Sequence, residues 1–248
     1  MNIYEVKSMG DRIHDNEYVG RGIVIGKTED GTKAAIAYFI MGRSENSRNR
    51  IFKKEGDNLT IYPFDASKVE DPSLIIYNPV MVHENKTIVT NGDQTSTIYD
   101  TMEEAKAMGG KGMGFAFEKA LKTREFEPDA PNWTPRISGV VVLRGGDFFY
   151  KLSILKSADA EGTACNRFTF DYNPLPGVGH FIHTYVTNGN PIPTFQGEPE
   201  RVSIPDDIDE FYDDIWNNLD ANNRISLYVR YIDIATGKYD DRMINKNK

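Results

Sequence analysis

The stretch Gly22-Ile23-Val24-Ile25-Gly26, the turn Glu29-Asp30-Gly31-Thr32 and the run Ala34-Ala35-Ile36-Ala37-Tyr38-Phe39-Ile40-Met41 decide the fold. A strand with one wet face alternates apolar and polar residues, because successive side chains point to opposite sides. Ala34 to Met41 does not alternate; every residue in it is non-polar. Both faces of that strand are therefore covered. The Asp-Gly step between the two runs is turn chemistry, so they form a buried hairpin near the N-terminus.

Working outward, further strands are expected at Leu59 to Tyr62, from Leu74 through Tyr77 to Val82, and at Lys86 to Thr90, where Asn91-Gly92 turns the chain. Thr101-Met102-Glu103-Glu104 has the spacing of a capping box, and Met113, Phe117, Ala120 and Leu121 follow helical spacing. Gly109, Gly110, Gly112 and Gly114 divide that helical stretch into two segments. A second strand-rich block follows, at Ile137 to Leu143, Phe148 to Leu155, Arg167 to Tyr172 and Phe181 to Val186. Ile208, Phe211, Ile215 and Leu219 then mark an amphipathic helix, with Asp206 and Asp207 at its N-terminus. A last strand, Ile225 to Ile234, places Ile225, Leu227, Val229 and Tyr231 on one face, and the tail from Met243 to Lys248 reads as disordered. The order predicts one α+β domain over residues 1–248, with two sheets and helices packed outside them.

The 248 residues include 39% hydrophobic and 27% charged side chains and carry a net charge of -8. That is the profile of a globular chain able to bury a large core. An acidic surface disfavours nucleic acid and anionic membranes as partners but does not forbid a local cationic pocket. Cys165 is the only cysteine, so an internal disulfide and a four-thiolate zinc site are excluded. The first residues show no basic segment followed by an apolar run, and no 18 consecutive apolar residues occur. A cytoplasmic protein, monomer or homo-oligomer, is expected.

Gly42-Arg43-Ser44-Glu45-Asn46-Ser47-Arg48-Asn49-Arg50 follows the buried strand directly. Arginine presents a planar fork of donors that fits phosphate and carboxylate oxygens, and Ser and Asn can complete such a cradle. A solvated turn paired with surface carboxylates reads the same residues equally simply. In Gly177-Val178-Gly179-His180-Phe181-Ile182-His183, an extended backbone sends His180 and His183 to opposite faces, which disfavours joint metal ligation. Gly110-Lys111-Gly112-Met113-Gly114 lacks both the Lys-Ser/Thr ending of a P-loop and the preceding strand of a dinucleotide fingerprint. Ser44 is outside any Gly-x-Ser-x-Gly elbow, and Cys165 reads as a small buried hydrophobe. Glu127 and Asp129, just before Thr134-Pro135-Arg136, offer either an acid–base pair with an arginine or a structural ion pair.

Taken together, Tyr18 to Gly26, Ala37 to Arg50, Tyr77-Asn78-Pro79, Thr90 to Thr95, Thr134-Pro135-Arg136-Ile137, Pro176 to Tyr185 and Gly189 to Pro193 resemble the motifs of the inosine monophosphate cyclohydrolase family of archaea and some bacteria. The resemblance covers about residues 18–235. It implies a four-layer αββα sandwich related to N-terminal nucleophile hydrolases. Those hydrolases use a Ser, Thr or Cys at the mature N-terminus, whereas this sequence begins Met1-Asn2, so covalent amide hydrolysis is not expected.

The implied reaction is purine ring closure: 5-formamidoimidazole-4-carboxamide ribonucleotide becomes inosine monophosphate and water, with no metal, redox cofactor or covalent intermediate. The family's motif positions assign Arg50 to the developing oxyanion, Tyr77 to a proton relay and Glu127 to the carboxamide proton. They assign Arg21, Arg43, Ser44, Asn46 and Arg48 to the ribose phosphate, and Asn91, Thr134, Arg136, His180 and His183 to the base end. Two other readings stay open: a nucleotide-binding or sensor protein without turnover, and an amide hydrolase with a displaced nucleophile.

Overall fold

A computed structural model describes residue 2, residues 4–69 and residues 76–247. The hairpin is its centre. β1 (Arg21–Lys27) and β2 (Lys33–Met41) pair antiparallel around a turn in which Gly31 takes a left-handed conformation, φ 72°. The side chains of β2 divide by parity. Ala34, Ile36, Tyr38 and Ile40 enter a core shared with the second sheet, whereas Ala35, Ala37, Phe39 and Met41 face helices.

Before the hairpin comes α1 (Met9–Ile13); after it come α2 (Glu45–Arg48), β3 (Ile51–Glu55), β4 (Asn58–Tyr62), β5 (Val80–His83) and β6 (Lys86–Thr90). α3 (Gln94–Ala107) and α4 (Ala116–Leu121) separate these from β7 (Arg136–Arg144), β8 (Asp147–Ser157), β9 (Cys165–Tyr172), β10 (Val178–His183) and β11 (Glu200–Ser203). α5 (Ile208–Asn218), β12 (Arg224–Asp233) and β13 (Tyr239–Asn245) complete the described chain. One sheet has the order β11-β10-β1-β2-β12-β13 and the other β3-β4-β5-β6-β7-β8-β9. Every named ladder is antiparallel.

Three apolar clusters hold these parts. Ile23, Ile25, Tyr38 and Tyr228 of the first sheet share a core with Val89, Ile137, Val141 and Leu152 of the second. The sheets approach closely at Gly139, where an added Cβ would stand 2.6 Å from Ile25 Cδ1. Met9 and Ile13 of α1 and Phe211 and Ile215 of α5 cover Phe39, Leu227 and Val229. Ile98 and Met102 of α3 and Phe117 and Leu121 of α4 cover Ile88 and Val140. The protein is thus an α+β fold with two antiparallel sheets, and no described helix is long and apolar enough to cross a membrane.

Several local expectations change. α3 starts at Gln94, so Thr101 lies inside the helix and its hydroxyl donates to Thr97 O at 2.8 Å instead of capping an end. The register of β12 against β2 shifts between Arg224 and Ser226. That bulge puts Ile225 in the inter-sheet core, while Leu227, Val229 and Tyr231 face the helices. The tail is ordered as β13 through Asn245, because Ser226 to Ile232 supply it with a ladder partner. β10 ends at His183, short of Val186. Of the strand expected from Leu74 to Val82, Leu74 and Ile75 lie outside the described residues and pairing begins at Val80. Cys165 is half-buried at the start of β9, not in the core.

Candidate active site

Five strand ends meet at one end of the inter-sheet layer. β1 starts with Arg21; β2 runs out into Gly42 and Arg43; β6 runs out into Asn91; Thr134 precedes β7; and Tyr185 follows β10. They line a cavity of about 260 Å³ with Tyr18, Ser44, Asn46, Ser47, Arg50, Glu127, Asp129, Asn132 and Ile192. Arg21, Arg43, Ser44, Asn46, Arg50, Asn91, Glu127 and Thr134 were all expected there, and Asp129 was singled out beside Glu127; Tyr18, Ser47, Asn132, Tyr185 and Ile192 were not.

The arginine segment forms its wall through a single helical turn. Ser44 caps α2 by accepting from Ser47 N at 3.1 Å, while Ser44 N donates to Ser47 Oγ, a reciprocal capping box. The turn separates the arginines. Arg43 lies over the Tyr18 ring, 5.1 Å from its centroid, and donates to Gly189 O at 2.8 Å. Arg48 turns away and donates to Gly42 O and Asn223 Oδ1, each at 3.0 Å. It fastens the segment without lining the cavity.

Arg50 and Arg21 form the cationic floor. Arg21 Nη1 donates to Met41 O at 3.0 Å. Burial opposes its charge, but Tyr18, Tyr77, Tyr38 and Glu127 outweigh burial and hold its pKa above the ordinary value. For Arg50, burial and then the Arg21 guanidinium push the other way, despite Tyr77 and Glu127. Arg50 Nε is buried without a hydrogen-bond partner among the described residues. Such a donor costs stability unless something accepts from it. Tyr77 is behind this floor, its hydroxyl 3.1 Å from that of Tyr38. Burial, followed by the neighbouring Tyr77, raises Tyr38 well above the usual phenol range.

The opposite wall is a hydrogen-bonded chain. Thr134 N donates to Asp129 Oδ1 at 2.6 Å, the Thr134 hydroxyl bonds Asp129 Oδ2, and the Thr134 and Tyr185 oxygens are 2.5 Å apart. The Tyr185 ring stacks on Tyr18, with centroids 5.7 Å apart. Asn91 is fixed on both sides: its Nδ2 donates to Pro135 O at 2.9 Å and its Oδ1 accepts from Ile137 N at 2.9 Å. Glu127 N donates to Thr134 O at 2.9 Å, which points that segment into the cavity.

Three of the expected base-end residues are elsewhere. Arg136 pairs with Asp93 Oδ1 at 2.9 Å and donates to Gln94 Oε1 at 2.8 Å; Gln94 in turn donates to Asn91 Oδ1 at 3.1 Å. Its effect on the cavity runs through Asn91. His180 stacks on Tyr172 with centroids 3.8 Å apart and bonds the Tyr150 hydroxyl at 2.6 Å. His183 is buried against Phe181 and Phe195, with Nδ1 2.7 Å from Tyr185 O. The two histidines do point to opposite faces. Among the described residues, no three His, Cys, Asp or Glu side chains gather as a metal site would require.

Burial, then Arg201, pushes His180 down to about 4; burial pushes His183 down to about 4 against a raising bond to Tyr185 O. The folded protein therefore holds both rings neutral while the unfolded chain, with an ordinary His pKa of about 6.5, binds protons. Stability is expected to fall as pH drops from about 6.5 to about 4, since the unfolded state takes up more protons there. Urea midpoints across that window check this. His183→Gln should flatten the slope, and an unchanged slope would contradict it.

An α+β fold of two antiparallel sheets thus carries an arginine- and tyrosine-lined cavity at its strand ends. The chain matches the family described as "IMP cyclohydrolase-like protein" over residues 18–238, and it belongs to that family. Among curated relatives, it is 31% identical over 124 residues to the IMP cyclohydrolase of Methanococcus aeolicus, covering 50% of this chain and 58% of that one. It is 30% identical over 154 residues to the IMP cyclohydrolase of Methanopyrus kandleri, covering 58% and 72%. It is also 34% identical over 125 residues to that of Methanocaldococcus jannaschii, covering 50% and 56%. The matched region thus spans little more than half the length of the first and third of these relatives.

Proposed function

We propose that this protein is an IMP cyclohydrolase, closing 5-formamidoimidazole-4-carboxamide ribonucleotide to inosine monophosphate with loss of water. The observation that carries the reading is Arg50: a buried guanidinium with an unpartnered Nε, flanked by Arg21 and Glu127 in the cavity. The carboxamide nitrogen attacks the formyl carbon, a C–N bond forms, and negative charge develops on the formyl oxygen. Arg50 donates to that oxygen. Glu127 takes the carboxamide proton and returns it to the oxyanion to give the carbinolamine; Tyr77 then relays the formamido N–H proton to the carbinolamine oxygen, the C–O bond breaks, and water leaves. Arg21, Arg43, Ser44 and Asn46 hold the phosphate and ribose, with Asn91 and Thr134 at the base. Holding two weakly reactive groups in contact is worth up to roughly 7–11 kcal/mol.

The fold belongs to this reading as one domain over residues 1–248, a four-layer αββα sandwich related to N-terminal nucleophile hydrolases. It is supported by one core between the sheets and a helix-lined cluster on each outer side. Glu127 in the cavity wall favours turnover over binding alone.

Incubation with the formylated ribonucleotide, followed by absorbance, should show inosine monophosphate forming faster than the spontaneous rate; no acceleration would overturn the proposal. Arg43→Ala should raise KM about tenfold with little change in kcat, because a lost charge-assisted phosphate contact acts on ground and transition states alike. Steady-state kinetics separates the two. An equal fall in kcat with unchanged KM would place Arg43 at the reacting atoms instead.

A further inference from the structure

A second cavity is at the other end of the two sheets. It measures about 530 Å³ and opens among the β3–β4, β5–β6, β7–β8 and β12–β13 turns. Along β2, Met41 pairs with Arg224 near the first cavity and Ile36 pairs with Arg230 in the second. At about 3.4 Å per residue that separates the two regions by about 17 Å. They share no lining residue.

Arg230 lines this second cavity at 1% exposure, the largest of the fully buried side chains. Its Nε donates to Tyr228 Oη at 2.8 Å, its Nη2 donates to Asp57 O at 2.7 Å, and the guanidinium lies 3.9 Å from the Tyr239 ring centroid. These partners are neutral. Among the described residues, no carboxylate comes within 4.0 Å of it to form an ion pair, nor of Arg144 on the cavity rim. The acids of the same wall are engaged elsewhere: Glu84 pairs with Lys106 at 2.9 Å, and Asp57 accepts from the Tyr239 hydroxyl at 2.8 Å. A buried charge without a counter-charge is costly; with Glu84 balanced by Lys106, the two guanidiniums of the lining face one unbalanced carboxylate, Asp57, an excess of positive charge that favours an anion. Thr87 and Thr236 supply further polar lining.

We propose that this end cavity is a second ligand site, binding a small oxyanion, a phosphate or carboxylate group, between Arg230 and Arg144. Arg230 provides the desolvated, stacked guanidinium, and Arg144 the arm that closes from solvent. With its Nε and Nη2 engaged, Arg230 keeps Nη1 for the oxyanion, and Arg144 can present its planar fork. The site stands apart from the ring-closure reading and survives its failure.

Amide NMR of the isotopically labelled full chain, titrated with inorganic phosphate and separately with malonate, tests it. Saturable shifts are expected at the Gly145, Gly146, Thr236 and Gly237 amides, independent of any at Asn46 and Ser47. Tighter binding by phosphate or by malonate tells which oxyanion the site takes. Arg144→Ala, at an exposed position, should weaken these shifts about tenfold or more while leaving the rest of the spectrum in place. Arg230→Met should abolish them, and Arg43→Ala should not. Shifts confined to Asn46 and Ser47, or end-cavity shifts that neither saturate nor respond to Arg144→Ala, would overturn the proposal.

Discussion

Arg50→Ala is expected to lower kcat for ring closure about 100- to 1,000-fold, the loss found when one donor to a developing oxyanion is removed. KM should move far less, because Arg43 and the α2 turn are untouched. Stability should hardly change. Arg50 Nε has no protein acceptor that its loss would orphan, and Arg21 opposes its charge. Removing it relieves repulsion between buried like charges while giving up the packing of its stem. The urea midpoint and stopped-flow turnover together make the test: wild-type stability with a collapsed rate. Full activity would remove Arg50 from the chemistry, and a collapsed midpoint would make it a structural residue.

Gly26→Ala is expected to produce the largest loss of stability, about 3 kcal/mol or more. Gly26 of β1 is in register with Gly179 of β10. An added Cβ would stand 2.4 Å from Gly179 Cα, 2.7 Å from Ile204 Cγ1 and 2.7 Å from Val178 O. Two of those atoms are backbone, so no rotamer change clears the overlap, and β1 and β10 must separate. At roughly 2–4 °C per kcal/mol for a chain of this size, Tm should fall by about 6–12 °C. Calorimetry measures it; a fall under about 2 °C would show that the sheet yields more easily than its packing implies.

The parts legible in the sequence are those whose side chains all vote the same way. Ala34 to Met41 is apolar throughout and is buried on both faces. Ile208, Phe211 and Ile215 repeat at helical spacing and form the buried stripe of α5, capped by Asp207. The start of α3 was hidden because Thr95-Ser96-Thr97 are poor helix formers; its first turn is held instead by Thr95 Oγ1 bonding Gly92 O at 3.0 Å. β13 reads Tyr-Asp-Asp-Arg-Met-Ile-Asn and is an edge strand, so ladder bonds to β12 rather than burial define it. Partnership between distant strands was not legible either: β1 and β2 join β10 to β13, whereas β3 to β6 join β7 to β9.

At the site, the arginine motif and the Thr-Pro-Arg step were readable as chemistry. Which arginine faces the cavity was not, because a one-turn helix of Glu45–Arg48 rotates Arg48 toward Asn223 and away from Arg50. Tyr18 and Tyr185 stood within motifs already singled out, and their stacking across the cavity mouth needed the tertiary structure. His180 and His183 were expected at the base end, yet each packs against aromatic rings outside the cavity lining.

The central hairpin carries one more consequence, for how the molecule is made. β2 is an interior strand whose second neighbour is β12, with Ile36 opposite Arg230. Translation at about 5–20 residues per second separates the emergence of those two residues by roughly 10–40 s. Throughout that interval the most apolar segment of the chain has only β1 beside it, with an unpaired edge along Ala34 to Met41. The nascent protein must keep that edge from meeting another copy of itself.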